Sequence, residues 1–325
     1  MLTSEQLMLR KQGIGGSDAA GVCGVSKWAT PVSVYLDKVT PFIEEKVNPV
    51  FERGNLIESV IKSLFTKKTG KIISEKIETV FDDDHSFLLA NIDGYLPREK
   101  ALVEIKHYSK FQQSAWGEDD TDQIPDDYLI QVQHYLSVTN TNKAYVAALF
   151  GDDSVFSLLA SLVKKFGSQG AFRLIEDHEF DLRIFTVQRN DRLIKKIKDI
   201  EIDFWLNHVQ KKTPPQWKTR EDLTALFPES TPREVIASAE DIEAANFIKA
   251  KNDEIKRLEK EVEAKKSYLC GKLANASCLR DGEGNKIATW KSQLRSSFNM
   301  DSFKEKYPDL FQMFSTSKQS RVLRF

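Results

Sequence analysis

The stretch NIDGYLPREKALVEIKHY, residues 91–108, decides the fold that this sequence predicts. NIDGYL predicts one short strand, PREK a turn, and LVEIKHY the next strand. Successive side chains of a strand point to opposite faces, so Asn91 and Asp93 are expected to share one face. By the same alternation Glu104 and Lys106 point in one direction. Pairing the two strands is therefore expected to bring Asp93, Glu104 and Lys106 to a single point.

Two carboxylates and a lysine at one point are typical of metal-dependent phosphodiester cleavage. Mg²⁺ prefers oxygen ligands, which Asp93, Glu104 and the Ile105 carbonyl can supply. A bound metal lowers the pKa of its water and stabilises charge that develops on a phosphate. Lys106 could orient that water, help to deprotonate it, or neutralise the phosphate charge. A string this short also arises by chance as a surface pattern, which is the alternative interpretation.

The composition predicts a soluble protein with a substantial core. The chain has 325 residues, 41% hydrophobic and 29% charged, enough for one large domain or for a domain and an appendage. We expect no signal peptide and no membrane-spanning segment, and therefore a cytoplasmic location. Three cysteines without a CxxC pair predict neither a disulfide framework nor a zinc site. The net charge of −1 argues weakly against a nucleic-acid partner.

The order of elements predicts a mixed sheet flanked by helices, with a core domain over residues 1–212. Residues 51–69 show helical periodicity, and 126–139 and 189–210 predict two more helices. Strands are expected around 72–80, 87–95, 101–108, 143–151 and 181–189. The breaker KKTPPQWK, residues 211–218, ends this core.

Residues 213–325 are predicted to form a C-terminal extension. Ile248, Ile255, Val262 and Leu269 recur every seven residues, which predicts a helical arm over about 240–270. A small hairpin and tail, 275–325, are expected to follow, with the turn at Asp281–Asn285.

Helical projection selects further residues for the site. Glu58 falls at the border of the apolar face of helix 51–69, from which its carboxylate can point toward the acids. A salt bridge at the rim is the simpler alternative for Glu58. Gln131 shares a helical face with Tyr128 and Tyr135, whereas Gln133 points away, so only Gln131 is expected to enter the site.

The N-terminal segment RKQGIGGSDAAG predicts either an anion site or an ordinary helix cap. Glycines allow close backbone approach, Ser17 offers a hydroxyl and Arg10 a bidentate cation, all suited to a phosphate. Taken alone, the segment favours a cap, with Ser17 or Asp18 at the N-cap position. The five histidines are too scattered along the chain to predict a metal cluster by spacing.

These motifs together resemble the YqaJ-type viral recombinase nucleases. That family includes the phage lambda exonuclease and belongs to the PD-(D/E)xK superfamily. Five motifs occur in the family's order, within roughly residues 8–150: Arg10 to Ser17, Glu58, Asp93, Glu104-Ile105-Lys106, and QVQHY.

The resemblance implies a Mg²⁺-dependent 5′→3′ exonuclease, with Mn²⁺ as a substitute metal, that digests one strand of linear duplex DNA. It implies that Asp93, Glu104 and the Ile105 carbonyl bind metal, that Lys106 serves the attacking water, and that Glu58 supports a second metal. The 5′-phosphate would be held by four residues: Arg10, Ser17, Asn91 and Gln131.

The resemblance also implies partners and an origin. A homo-oligomeric ring, a trimer, would encircle the duplex, and a single-strand annealing protein of the RecT type would load onto the exposed 3′ strand. Phage or prophage origin in a bacterial host cell follows from the same likeness. Two alternatives stay open: a structure-specific or nicking endonuclease of the same fold, and a non-catalytic protein that binds DNA ends.

Overall fold

The computed structural model describes residues 4–41, 49–74, 79–316 and 320–325. The chain divides into two compact units, Met1–Leu226 and Phe227–Phe325, and each is described by itself. Among the described residues, no helix combines the length and the apolar character that crossing a membrane requires.

The first unit contains seven strands and eight α-helices in the part of the chain that is described. The strands are β1 (Ile14–Gly15), β2 (Val80–Phe81), β3 (Leu88–Ala90), β4 (Gly94–Leu96), β5 (Ala101–Ser109), β6 (Lys143–Gly151) and β7 (Asp181–Gln188). The helices are α1 (Ser4–Lys11), α2 (Gly16–Val22), α3 (Pro31–Val39), α4 (Pro49–Thr69), α5 (Asp126–Val138), α6 (Asp153–Ile175), α7 (Asp191–Asp203) and α8 (Arg220–Leu226).

A four-stranded mixed sheet forms the centre of this unit, in the order β4-β5-β6-β7. The β4–β5 and β6–β7 pairs are antiparallel, whereas β5 and β6 run parallel, with α5 in the connection between them. A smaller sheet has the order β1-β3-β2, with β1 parallel to β3. The prediction of a mixed α/β core is therefore confirmed.

Side-chain alternation along β5 assigns its residues to two cores. Val103 and Ile105 are buried in one core with the apolar face of α4, which includes Ile57 and Ile61. Leu102 is buried in the other core, to which α5 and α7 contribute. Burial of each such Ile, Leu or Val contributes about 1.5–3 kcal/mol. Since Glu104 is two residues from Leu102, it faces α5.

The predicted single strand NIDGYL is wrong. The chain leaves the small sheet after Ala90 and enters the central sheet only at Gly94, so residues 91–93 belong to neither. The Asp93 carboxylate accepts the hydrogen bond of the Ile105 amide, 2.8 Å from Oδ2 to N. A side chain thus satisfies the amide that a continuing strand would have bonded.

Two other predicted elements differ in the structure. The strand expected around 72–80 is reduced to Val80–Phe81; residues 71–74 are irregular and 75–78 lie outside the described residues. The helix expected over 189–210 is α7, which continues into a wider π-type turn at Phe204–Val209.

The segment between β6 and β7, for which the sequence predicts no defined element, is the helix α6. Gly167 interrupts this helix with φ 67°, a conformation that glycine adopts without a steric cost.

The second unit has the predicted helix and hairpin. Helix α9 (Ala239–Leu273) begins at Ser238, whose side chain accepts the Asp241 amide as an N-cap. Strands β8 (Cys278–Arg280) and β9 (Lys286–Thr289) pair antiparallel, and two short helices follow, α10 (Met300–Lys306) and α11 (Pro308–Phe314). The Asp281 carboxylate accepts two amides of the turn, which explains why the hairpin reverses there.

Helix α8 lies beyond residue 212, where the sequence places the end of the core. It packs against α3, and the Thr30 hydroxyl donates to the Asp222 carboxylate at 2.5 Å. The compact unit accordingly extends to Leu226. The assignment of 1–212 as the nuclease core and 213–325 as an extension stays a prediction about domains.

Glu99 secures the turn between β4 and β5. Its carboxylate accepts hydrogen bonds from Lys71, from Lys143 at 2.9 Å and from the Tyr145 hydroxyl at 2.7 Å. These hydrogen bonds, that of Lys71 first, lower the pKa of Glu99 to about 2. The folded-state pKa is therefore depressed. The stabilisation is present above the ordinary pKa and is lost as pH falls through about 2.

We predict that Glu99→Gln lowers the free energy of unfolding by about 1 kcal/mol near neutral pH, because these contacts are partly screened by solvent. The difference from the unmodified protein should shrink as the solution is acidified. Urea denaturation at a series of pH values measures it. Glu179→Gln, which changes an exposed acid, is the control. A difference that persists undiminished in acid would contradict the role of the Glu99 charge.

Candidate active site

Glu104, Lys106 and Gln131 form a connected group between β5 and α5. The Lys106 ammonium donates to Glu104 Oε1 at 2.7 Å and to Gln131 Oε1 at 3.2 Å. Gln131 Nε2 donates to the same Glu104 oxygen at 2.8 Å and to the Tyr135 hydroxyl at 3.2 Å. The ammonium also lies 5.1 Å from the centre of the Tyr128 ring. The functional group of Lys106 is thus held on several sides.

Asp93 joins this group through the Ile105 amide and through its charge. Burial raises the pKa of Asp93 well above its ordinary value, and the negative charges of Glu104 and Glu58 raise it further. Burial alone would lower the pKa of Lys106, but the charges of Glu104 and Asp93 outweigh burial and raise it. The structure therefore brings Asp93, Glu104 and Lys106 together.

The acid pair fits a divalent cation. Glu104 Oε2 is buried and has no hydrogen-bond partner among the residues that the structure describes. A buried carboxylate oxygen without a partner is costly, and a cation would satisfy it. The same cation would relieve the repulsion that raises the pKa of Asp93. The role of the Ile105 carbonyl as a third ligand stays a prediction.

Glu58 lies at the edge of this group rather than within it. Its Oε1 accepts from Lys62, one turn later on α4, at 2.5 Å, and 29% of its side chain is exposed. Its negative charge contributes to the raised pKa of Asp93. The rim salt bridge expected as the simpler alternative is therefore present, and a role for Glu58 beside the acids stays a prediction.

Arg10 and Ser17 contact each other across the turn between α1 and α2. The Arg10 guanidinium donates to the Ser17 hydroxyl at 2.6 Å and lies 3.9 Å from the Asp18 carboxylate. The buried Lys38 ammonium bonds Asp18 at 2.7 Å and the Arg10 carbonyl at 2.8 Å. A guanidinium, a hydroxyl and an ammonium thus meet at one turn.

The expected N-cap at Ser17 or Asp18 is wrong. Gly15 is the N-cap of α2, and its amide bonds the Asp18 carboxylate at 3.1 Å. This arrangement occurs because Asp18 is the third residue of the helix and reaches back to the cap. Ser17 is consequently free to bond Arg10 instead of the helix.

Tyr135 connects the N-terminal turn to the acid group. A Cβ added at Gly16 would lie 2.4 Å from Tyr135 Cε1, so the backbone of this turn rests directly on the ring. The hydroxyl at the same end of the ring accepts from Gln131. Burial raises the pKa of Tyr135 well above its ordinary value, as do the charges of Glu104 and Asp93. The sequence places Tyr135 on the Gln131 face but does not predict this bridge.

Asn91 is not brought into the acid group. Its Oδ1 accepts from the Thr79 hydroxyl at 2.7 Å. The expectation that Asn91 shares the Asp93 face assumes a continuous strand, and that strand ends at Ala90. A role for Asn91 in binding a 5′-phosphate stays a prediction.

Gln133 is directed away from the acids, as the helical projection expects, and His134 bonds elements other than the acid group. Gln133 Nε2 donates to the Gln188 carbonyl at 2.7 Å, and its Oε1 accepts the Asn190 amide at 2.9 Å. His134 is 1% exposed and bonds Glu201 on α7. Spacing along the chain does not predict this buried pair, because its members are 67 residues apart.

A second acidic group occurs at the loop before β3. Asp82, Asp84 and His85 have ligand atoms within 4.8 Å of one another, a trio that the sequence does not predict. Asp82 Oδ2 bonds the Lys198 ammonium at 2.7 Å, and its Oδ1 accepts the amides of Asp84 and His85. A lysine thus already balances the buried Asp82 charge, and the group is a hydrogen-bonded turn.

Comparison with known proteins links this site to a family. Residues 5–142 match the family model of the YqaJ-like viral recombinase domain. The whole chain is similar to the uncharacterized protein YqaJ of Bacillus subtilis (strain 168), with 28% identity over 340 residues and 94% of that protein covered.

Two exonucleases are among the solved structures that are similar to this chain. One is an alkaline exonuclease, LHK-Exo, from Laribacter hongkongensis, with a TM-score of 0.46, 17% identity, and coverage of 65% of this chain and 94% of that chain. The other is a phage related exonuclease from Haemophilus somnus 129PT, with a TM-score of 0.43, 17% identity, and coverage of 62% and 95%. The resemblance to YqaJ-type viral recombinases is confirmed by the family model, for residues 5–142, the segment that holds every residue of the candidate site.

Proposed function

We propose that this protein is a divalent-metal-dependent 5′→3′ exonuclease that digests one strand of linear duplex DNA and leaves 3′ single-stranded tails. The observation that carries the proposal is the pair of half-buried Asp93 and buried Glu104, the latter with an unpartnered carboxylate oxygen, beside the Lys106 ammonium. Such an arrangement suits hydrolysis of a phosphodiester. The match to a viral recombinase domain supports DNA as the substrate.

Asp93 and Glu104, with the Ile105 carbonyl, are the residues proposed to hold Mg²⁺, and Mn²⁺ would substitute. Oxygen donors of this kind are the ligands that both ions accept. When bound, the ion supplies a water of lowered pKa and neutralises negative charge on the phosphate. Glu58, at the edge of the group, is proposed to support a second ion.

Lys106 and Gln131 are proposed to organise the reacting groups. The ammonium is held by Glu104 and Gln131, so it can donate to the attacking water or to a phosphate oxygen without reorganising. Gln131 contacts both charged partners and fixes their separation. In this proposal Gln131 also reaches the terminal phosphate.

Arg10 and Ser17 are proposed to bind the 5′-phosphate of a DNA end. A guanidinium and a hydroxyl 2.6 Å apart can each donate a charge-assisted hydrogen bond to one phosphate group. The Tyr135 ring, which contacts Gly16 and bonds Gln131, sets the distance from this pair to the acids. Recognition of the end would therefore place the terminal phosphodiester at the acids.

A homo-oligomeric ring around DNA and a RecT-type annealing partner complete the proposal. A net charge of −1 gives little general attraction to DNA, and a protein that encircles the duplex needs less of it. Action within a bacterial host cell on phage DNA would fit the viral recombinase match.

The proposed metal site requires the Glu104 carboxylate. Glu104→Gln should reduce digestion of linear duplex DNA by about a hundred- to a thousandfold and should weaken Mn²⁺ binding in calorimetry, because a ligand charge is removed. EDTA should abolish digestion by the unmodified protein. Asp84→Asn, in the second acidic group, is the matched control and should retain both properties. If Asp84→Asn lost metal binding instead, the site would be misassigned.

The second prediction concerns the DNA end. Arg10→Ala and Ser17→Ala should each slow digestion of 5′-phosphorylated linear DNA by about ten- to a hundredfold, the cost of a charge-assisted bond. Digestion of 5′-hydroxyl ends should change little. Gel assays of both substrates and of closed circles provide the comparison. Equal activity on closed circles and phosphorylated ends would favour the endonuclease alternative.

The third prediction concerns the bridge through Tyr135. Gly16→Ala should destabilise the fold by about 1–3 kcal/mol, because the new methyl group meets a ring that is itself buried. Activity on 5′-phosphorylated ends should fall at temperatures where circular dichroism shows that the protein is folded. Gly271→Ala, on α9 where an added Cβ meets nothing within 4 Å, is the control. Unchanged activity in Gly16→Ala would show that the bridge is dispensable.

A further inference from the structure

Both ring nitrogens of His134 contact acceptors. Nδ1 lies 2.7 Å from Glu201 Oε1 on α7, and Nε2 lies 3.0 Å from the Leu89 carbonyl oxygen on β3. A neutral imidazole carries one N–H and could satisfy one of these contacts. With Glu201 present as a carboxylate, the two contacts together are satisfied by the doubly protonated, charged ring.

The surroundings of His134 favour that charge. Glu201 is 2% exposed and has the imidazole as its partner, so the two charges compensate each other in a dry site. The negative charge of Asp18 on α2 also contributes to the raised pKa of His134, though Lys38 and Arg10 balance part of that charge.

The neighbouring groups titrate far from neutrality. Burial raises the pKa of the Cys23 thiol to about 12, with a further contribution from Glu201. The Tyr135 hydroxyl, next to His134 in sequence, has its pKa raised first by burial. These two groups stay neutral when His134 changes its charge.

The two contacts of His134, with Glu201 and with the Leu89 carbonyl, form a clamp beside the candidate site. It is three residues after Gln131 on α5, and Leu89 is four residues before Asp93. We propose that charged His134, held between Glu201 and the Leu89 carbonyl, is a positioning residue that keeps the Gln131 helix in place against the strand leading to Asp93. The effect on catalysis rests on the proposed nuclease function, whereas the clamp itself does not.

Gln133 makes a second connection from α5, to Gln188 and to Asn190 at the start of α7. That connection is formed by amide groups and has no titrating member. A pH dependence that arises from these connections of α5 would consequently come from His134.

The direction of the pH dependence follows from the contacts. Burial alone would lower the pKa of His134, but the Glu201 charge and its hydrogen bond outweigh burial and raise it. A group with a raised folded-state pKa contributes stability below its ordinary value of 6.5, and that stability is lost as pH rises through the folded-state pKa. The clamp is therefore expected to loosen in alkaline solution.

The test combines histidine NMR, metal binding and digestion in the full chain. With ¹³C-labelled histidine, one of the five ring signals should titrate above its ordinary range and should vanish in His134→Gln. In Glu201→Gln that titration should move down by about one to three pH units, because the opposite charge is gone. Mn²⁺ affinity and kcat should decline in alkaline solution. In Glu201→Gln this decline should shift to lower pH together with the His134 titration. His178→Gln, at an exposed histidine, is the control.

Two results would overturn the clamp. One is the absence of a raised titration in the unmodified protein, a measurement that needs no variant to fold. The other is a lowered His134 titration in Glu201→Gln with no movement of the alkaline decline in Mn²⁺ affinity. If the NMR and Mn²⁺ results hold but no DNA is digested, the clamp stands and the proposed nuclease function fails.

Discussion

The hydrogen bond from the Ile105 amide to the Asp93 carboxylate is the contact on which the candidate site depends. Residues 91–93 connect the two sheets, and this hydrogen bond attaches them to β5. Without it a buried amide would lack a partner, at a cost of about 1–3 kcal/mol. The acceptor is a carboxylate next to Glu104. The hydrogen bond that attaches residues 91–93 to β5 therefore also brings two negative charges together.

Side chains of α5 hold the charged residues of the candidate site in place. Gln131 and Tyr135, one turn apart, connect Glu104 and Lys106 on β5 with the glycine turn at Gly16. Gln133, on the opposite side of the same helix, and His134, on its flank, bond other elements. One short helix therefore carries residues of the candidate site on one face and structural contacts on its other sides, which explains how buried polar residues occur all around it.

Much of the fold and part of the site follow from local patterns. The apolar face of α4 and the alternation of β5 are recognisable because each repeats within a few residues. Glu104 and Lys106 share a face for the same reason, and the 100° helical step separates Gln131 from Gln133. The Glu104-Ile105-Lys106 string and the N-terminal arginine–serine pair also carry the family resemblance.

The sequence by itself determined the mixed α/β class, the helices and strands with a clear repeat, and the residue types able to do chemistry, because these depend on short-range periodicity and side-chain type. Only the tertiary structure decided that residues 91–93 leave the sheet, that Asn91 bonds Thr79, and that Glu201 meets His134. These outcomes depend on which buried polar groups find partners across long stretches of chain. Such pairing is a property of the packed molecule, since no local repeat encodes it.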